Sequence, residues 1–286
     1  MASSHGVGYQ GFGSFHSENV DSMVSDDTWV PPPSPVPLPP LTATPPPFGD
    51  ACKSLFMIDF ERWTFLNHGA FGAPCRYAFD YAAAWRLHIE SQPLRGIDRE
   101  LFPAMISSLK ELAAWMGADP RDLTFVPNAT SALNAVIFSA GVAAGDTVFS
   151  LDVGYGSVKK MVAALCARVG ARHVEATLDL DDVGDGGAPL TSDAIVALVK
   201  RELPAGCRLA VFDAVTSNSA LVMPVAELAT VCRSRGVRVL IDGAHMLGSA
   251  PINLSSSSAS YFVSNCHKVR GGRDMERYAA RAMGAP

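Results

Sequence analysis

The residues best suited to chemistry in this chain lie between positions 239 and 268. Val239-Leu240-Ile241 is an apolar run that breaks at Asp242-Gly243-Ala244-His245, and Tyr261-Phe262-Val263 breaks at Ser264-Asn265-Cys266-His267-Lys268. Each reads as a short buried strand stopping on polar residues. In an open α/β sheet, ligands sit outside the carboxyl ends of the strands. Two neighbouring strands of this kind therefore deliver an Asp, two His and a Lys to one crevice. Taken singly, an Asp at a strand end is an ordinary cap or turn residue, and a His-Lys pair is usually solvated. Taken together, they supply a Lys amine able to form a Schiff base and a carboxylate able to pair with a pyridinium nitrogen, the groups that pyridoxal phosphate needs.

The elements that must position these residues follow from the alternation upstream. Strands are expected over residues 123–126, 148–151, 174–178 and 209–215, with helices over 128–140, 157–169, 193–201 and 225–235. Repeated βα units imply an α/β fold, a mostly parallel sheet with helices on both faces. Earlier, Tyr77, Tyr81, Trp85 and His88 recur about a turn apart, and a second amphipathic helix is expected over 103–116. Asn128-Ala129-Thr130 marks a strand-to-helix junction, where unpaired N–H groups and the helix dipole suit a phosphate. The plainer role there is a helix N-cap.

Composition bounds the rest. At 286 residues, 48% hydrophobic, the chain can bury a large core. A net charge of −5 gives no sign of nucleic-acid binding, and no apolar run is long enough to span a membrane. Six scattered cysteines without a C-x-x-C pair suggest reduced thiols in a cytoplasmic setting and no metal site, with two roles open to Cys266, a reactive thiol beside Lys268 or, in preference, a small buried filler. Residues 1–52 are rich in Ser, Gly and Pro and are expected to be a disordered arm. That arm holds acids but no Lys or Arg before position 53, unlike an organelle transit peptide.

Asp242-Gly243-Ala244-His245, followed one strand later by His267-Lys268, resembles the class V aminotransferase family of fold-type I pyridoxal-phosphate enzymes. The similarity is to its isopenicillin N epimerase-like and L-cysteine desulfhydrase-like branch. Further matches are Leu66-Asn67-His68-Gly69-Ala70-Phe71-Gly72, Arg99-Glu100-Leu101, Asn128-Ala129-Thr130 and Thr216-Ser217. The resemblance implies that Lys268 carries the cofactor as a Schiff base and Asp242 pairs with its ring nitrogen. It also implies that Ala129, Thr130 and His267 hold the phosphate, with Tyr155, Ser217 and His245 around the ring. Asn67, His68 and Arg99 are the candidate substrate contacts. The implied substrate is a small L-amino acid, undergoing carbon–sulfur elimination or epimerisation, and the family is typically a homodimer. The chain departs from the pattern at Asp213-Ala214-Val215-Thr216-Ser217, where the branch has a His after the Asp.

The resemblance spans roughly residues 60 to 268 and then stops. The expected organisation is therefore an arm (1–52), a cofactor-binding large domain (53–268) and a divergent tail (269–286) with a short helix over 274–283. By this reading the family's C-terminal small domain is missing, and with it the usual substrate-carboxylate Arg. Two readings remain open: a desulfhydrase-like or epimerase-like enzyme, or a catalytically inactive remnant that only binds partners. A doubly wound nucleotide-binding protein ranks third, because no G-x-G-x-x-G follows a strand.

Overall fold

Five runs rich in Val, Leu, Ile and Phe form the sheet. They are β1 (Thr147–Leu151), β2 (Arg172–Ala176), β3 (Cys207–Asp213), β4 (Arg238–Gly243) and β5 (Tyr261–Ser264). In the computed structural model, which describes residues 20–38, 46–47, 49–179 and 190–268, their order is β2-β1-β3-β4-β5. Every neighbouring pair is parallel. β1 lies between β2 and β3, so the order reverses there, and such a switch point opens a crevice at the carboxyl edge.

The helices are α1 (Val20–Ser25), α2 (Arg76–Ser91), α3 (Pro93–Arg95), α4 (Leu101–Met116), α5 (Ala129–Ser139), α6 (Gly156–Val169), α7 (Ser192–Glu202) and α8 (Val225–Ser234). None is long and apolar enough to cross a membrane, among the described residues. Alternation along the strands separates two apolar layers. Phe149, Phe212 and Ile241 pack with Ile195 of α7 and Leu228 of α8. Val148, Val211 and Leu240 face the other way, against Leu133 and Ile137 of α5 and Val162 of α6. The same alternation puts Asp213, two residues after Val211, and Asp242, two after Leu240, on the α5 side.

Three expectations differ from what is observed. Residues 123–126 form no strand, and Phe125 and Val126 are exposed. A strand needs a ladder partner, and β5, which packs beside α5, pairs only with β4 among the described residues. Within the supposed disordered arm, residues 20–38 carry α1, which packs on α4 with Met23 buried. Val36 is buried as well, and Lys110 of α4 donates to the Asp26 carbonyl and sits 5.3 Å from the Trp29 ring centroid. An average over a Pro-rich stretch conceals such isolated apolar anchors. The other end of β2 is shifted, stopping at Ala176 where the pattern suggested Leu178. The expected tail helix lies outside the described residues.

Candidate active site

The start of α5 is shaped by its own sequence. Asn128 is extended (φ −168°) and its side chain accepts from the Ser131 N–H at 2.8 Å, an N-cap. The Ala129 N–H donates to the Asn265 side-chain carbonyl at 3.0 Å, and the Ala132 N–H to the Asn128 carbonyl at 3.2 Å. Of the first four helix N–H groups, only that of Thr130 has no partner among the described residues. Thr130 is exposed, so the positive end of α5 presents one open donor. Asn265 directly follows β5, and it ties this turn to the strand that carries Lys268. The first helical turn holds no acidic residue to compete with an anion.

Asp242 is 4% exposed. One of its oxygens accepts from the Ala244 N–H at 3.0 Å, and the other accepts no hydrogen bond among the described residues. Burial pushes its carboxyl up, while the Ala244 N–H and the charge of Lys268 pull it back. Lys268 lies in the short 3₁₀ turn Cys266–Lys268, its amine 3.3 Å from Nε2 of His245. Burial pushes that amine below the usual lysine value, and Asp242 opposes the shift. Both groups are thus pushed toward neutrality by a dry site, and each opposes that shift in the other.

These groups share one cavity of about 190 Å³ at the carboxyl edge of the sheet. The structure brings Ala129, Thr130, Tyr155, Asp242, His245, His267 and Lys268 to its walls. The loop through Gly72 forms part of its wall. Gly72 has φ +74°, and a Cβ there would overlap the His267 carbonyl oxygen, so this position requires glycine on both counts. Ala70 and Phe71 of that loop line the cavity.

The other candidates do not line that cavity. Asn67 uses its side-chain oxygen to accept from the Ala70 N–H, and His68 packs between Phe65 and Phe56. Arg99 is paired with Asp98 at 2.8 Å, away from the cavity walls. Ser217 is also off the walls, and Val215 stands there instead. The cause is a tight turn: Thr216 binds Ser219 and Leu221, Val215 bridges to Val222, and Ala220 takes φ +54°. Cys266 is exposed and is no buried filler. Two wall residues escaped the sequence reading. Asp213 is buried on the cavity wall, and Asn265 caps Ala129. The signal for Asp213 was present: it ends an apolar run just as Asp242 does.

A parallel sheet with a switch point, an Asp and a Lys at adjacent strand ends and an open helix N-terminus define an α/β protein with a crevice at the carboxyl edge of its sheet. The chain belongs to the aminotransferase class V family, whose model matches residues 98–273. It is 32% identical over 219 residues to L-cysteine desulfhydrase of Arabidopsis thaliana, covering 71% of this chain and 46% of that protein. It is 31% identical over 207 residues to isopenicillin N epimerase of Streptomyces clavuligerus, covering 71% and 49%. The chain thus spans about half the length of the curated relatives it matches. Among solved structures, its fold is shared with C-DES, determined with glycine covalently linked to its pyridoxal-phosphate cofactor (TM-score 0.64, 23% identity, 74% of this chain and 55% of that one).

Proposed function

We propose that this chain binds pyridoxal 5'-phosphate through Lys268 and serves an enzyme acting on a small L-amino acid. Carbon–sulfur cleavage of the desulfhydrase kind is the first reading and epimerisation the second, following the relatives' names. The observation that carries it is the convergence of Asp242, Lys268 and the open Thr130 N–H on one cavity. The buried Asp242 oxygen without a donor fits a protonated ring nitrogen, which would complete its hydrogen bonding. The Thr130 N–H and the α5 dipole fit a phosphate, with His267 on the same wall.

Pyridoxal phosphate, when linked to the Lys268 amine, supplies an electron-withdrawing ring that stabilises a carbanion at the α-carbon of an amino acid. The chain's residues prepare for this. Burial raises the neutral fraction of the Lys268 amine, making it a better nucleophile and base near neutral pH. His245, 3.3 Å away, fixes the direction of that amine. Asp242 in its carboxylate form holds a proton on the ring nitrogen.

One observation favours the other reading, a chain that binds cofactor without turnover. Among the described residues no arginine lines the cavity, so a substrate carboxylate meets no guanidinium. The test covers both. Adding pyridoxal phosphate to the purified chain is expected to give an absorbance band that Lys268→Ala removes, and borohydride trapping should label the Lys268 peptide. A label on Lys159 or Lys160 would overturn the assignment. Sulfide release from L-cysteine and α-proton exchange of other small amino acids then separate an active chain from one that only binds.

A further inference from the structure

Asp213 has no part in the reading above, yet it stands on the wall of the same cavity. It is the register partner of Asp242 on the adjacent parallel strand, and both are buried. Directly paired residues on neighbouring strands stand about 4.8 Å apart, so two carboxyl groups share one dry corner on one face of the sheet. Their surroundings differ. Asp242 has the Ala244 N–H at 3.0 Å and the Lys268 charge. Asp213 has only the Tyr155 N–H, long at 3.4 Å, and no cation paired with it among the described residues.

We propose that Asp213 is a second acid of this cavity, keeping its proton at neutral pH beside an ionised Asp242 and offering an O–H donor to the bound ligand. The ligand half of this statement rests on the cofactor reading; the proton half does not. The charged and titratable groups around it come from four places. Asp242 faces it from β4, His245 from the turn after β4, and His267 and Lys268 from the turn after β5, all on the same cavity wall. Tyr155 faces it from the turn after β1, with Lys159 behind, whose amine is held by Glu175 and the Asp152 carbonyl. Only Asp242 acts on it strongly. Burial first, and the Asp242 charge second, push the Asp213 carboxyl up to about 7 from 3.8. The folded chain therefore keeps a proton that the unfolded chain releases near pH 4. Stability falls as pH rises through that window and levels off above the folded value.

Two arms test this, both on the whole 286-residue chain. Without cofactor, the chain is labelled with ¹³C at aspartate carboxyls and titrated from pH 4 to 9. One resonance should have its midpoint near 7 and vanish in Asp213→Asn, whose thermal midpoint should gain on the wild type as pH rises from 5 to 8. If every aspartate titrates below about pH 5, or the high resonance survives in the variant, the proposal is wrong. Should Asp213→Asn not fold, Asp213→Glu gives the same assignment by removing that resonance from the aspartate set.

With cofactor, pyridoxal phosphate affinity is measured for the wild type and Asp213→Asn between pH 6 and 8.5. The cofactor's own ionisations are common to both and cancel in the ratio. The wild type should weaken relative to the variant by up to about tenfold per pH unit above the titration. A flat ratio would remove the ligand donor from Asp213. Failure of both chains to bind cofactor would sink the cofactor reading, and the first arm would still decide the proton.

Discussion

Asp242 and Lys268 share one buried wall, and the chemistry proposed for them depends on that dryness. Burial pushes the Asp242 carboxyl up and the Lys268 amine down, and each group's charge opposes the shift of the other. An amide at position 242 preserves the shape and removes the charge. Asp242→Asn is therefore expected to retain cofactor within a few fold while α-proton exchange falls by about 10²-fold or more, a loss comparable to removing one preorganised charge contact. Loss of the Cα–H signal in D₂O measures this, and an unchanged rate would strip Asp242 of its role. These residues were legible because two strands end on them abruptly and two spaced motifs coincide. Asp213 carries half of that signal: it ends an apolar run as Asp242 does, but no second motif coincides with it. Ser217 lies off the cavity walls for a physical reason: short-range hydrogen bonds shape the Thr216–Leu221 turn in place of the register a linear motif suggests.

At the scale of elements, the site depends on a loop that approaches the backbone of the lysine turn. Gly72 and Gly236 both have positive φ, but only Gly72 faces a neighbour; nothing lies within 4 Å of a Cβ at Gly236. An alanine at either costs about 1–2 kcal/mol for the left-handed conformation. Gly72→Ala must also push the loop away from His267, and it should slow or weaken cofactor attachment by about tenfold, roughly 1.4 kcal/mol. Gly236→Ala should lower the melting temperature similarly and leave attachment unchanged. Equal attachment in both variants would show that the loop does not hold the lysine turn. Periodicity made the five strands and the helices between them readable to within about two residues. It could not reveal that residues 123–126 lack a strand to pair with, since a β-run in sequence carries no record of its partner.

For the whole molecule, the fold begins earlier than composition suggests. α1 lies on α4, with Met23 buried and Lys110 reaching back to Asp26 and Trp29. Met23→Ser should destabilise the chain by about 1–3 kcal/mol, the usual cost of losing a buried apolar side chain, read as a lower urea midpoint at unchanged slope. No effect would return residues 20–38 to the status of a tether. A few anchors in a polar, Pro-rich stretch are hard to see because core formation depends on where side chains land, and a window average reports only how many there are.

The hydrogen bond from Ala129 to Asn265 joins residues 136 positions apart. During synthesis the turn at the head of α5 leaves the ribosome long before its cap exists. At the usual rate of about 5–20 residues per second, the interval is roughly 7–27 s. Until then the turn at the head of α5 lacks both this restraint and the neighbouring Lys268, and closing so long a loop carries an entropic cost that only the finished sheet offsets. On the reading proposed above, in which Lys268 and this turn hold the cofactor, loading follows folding.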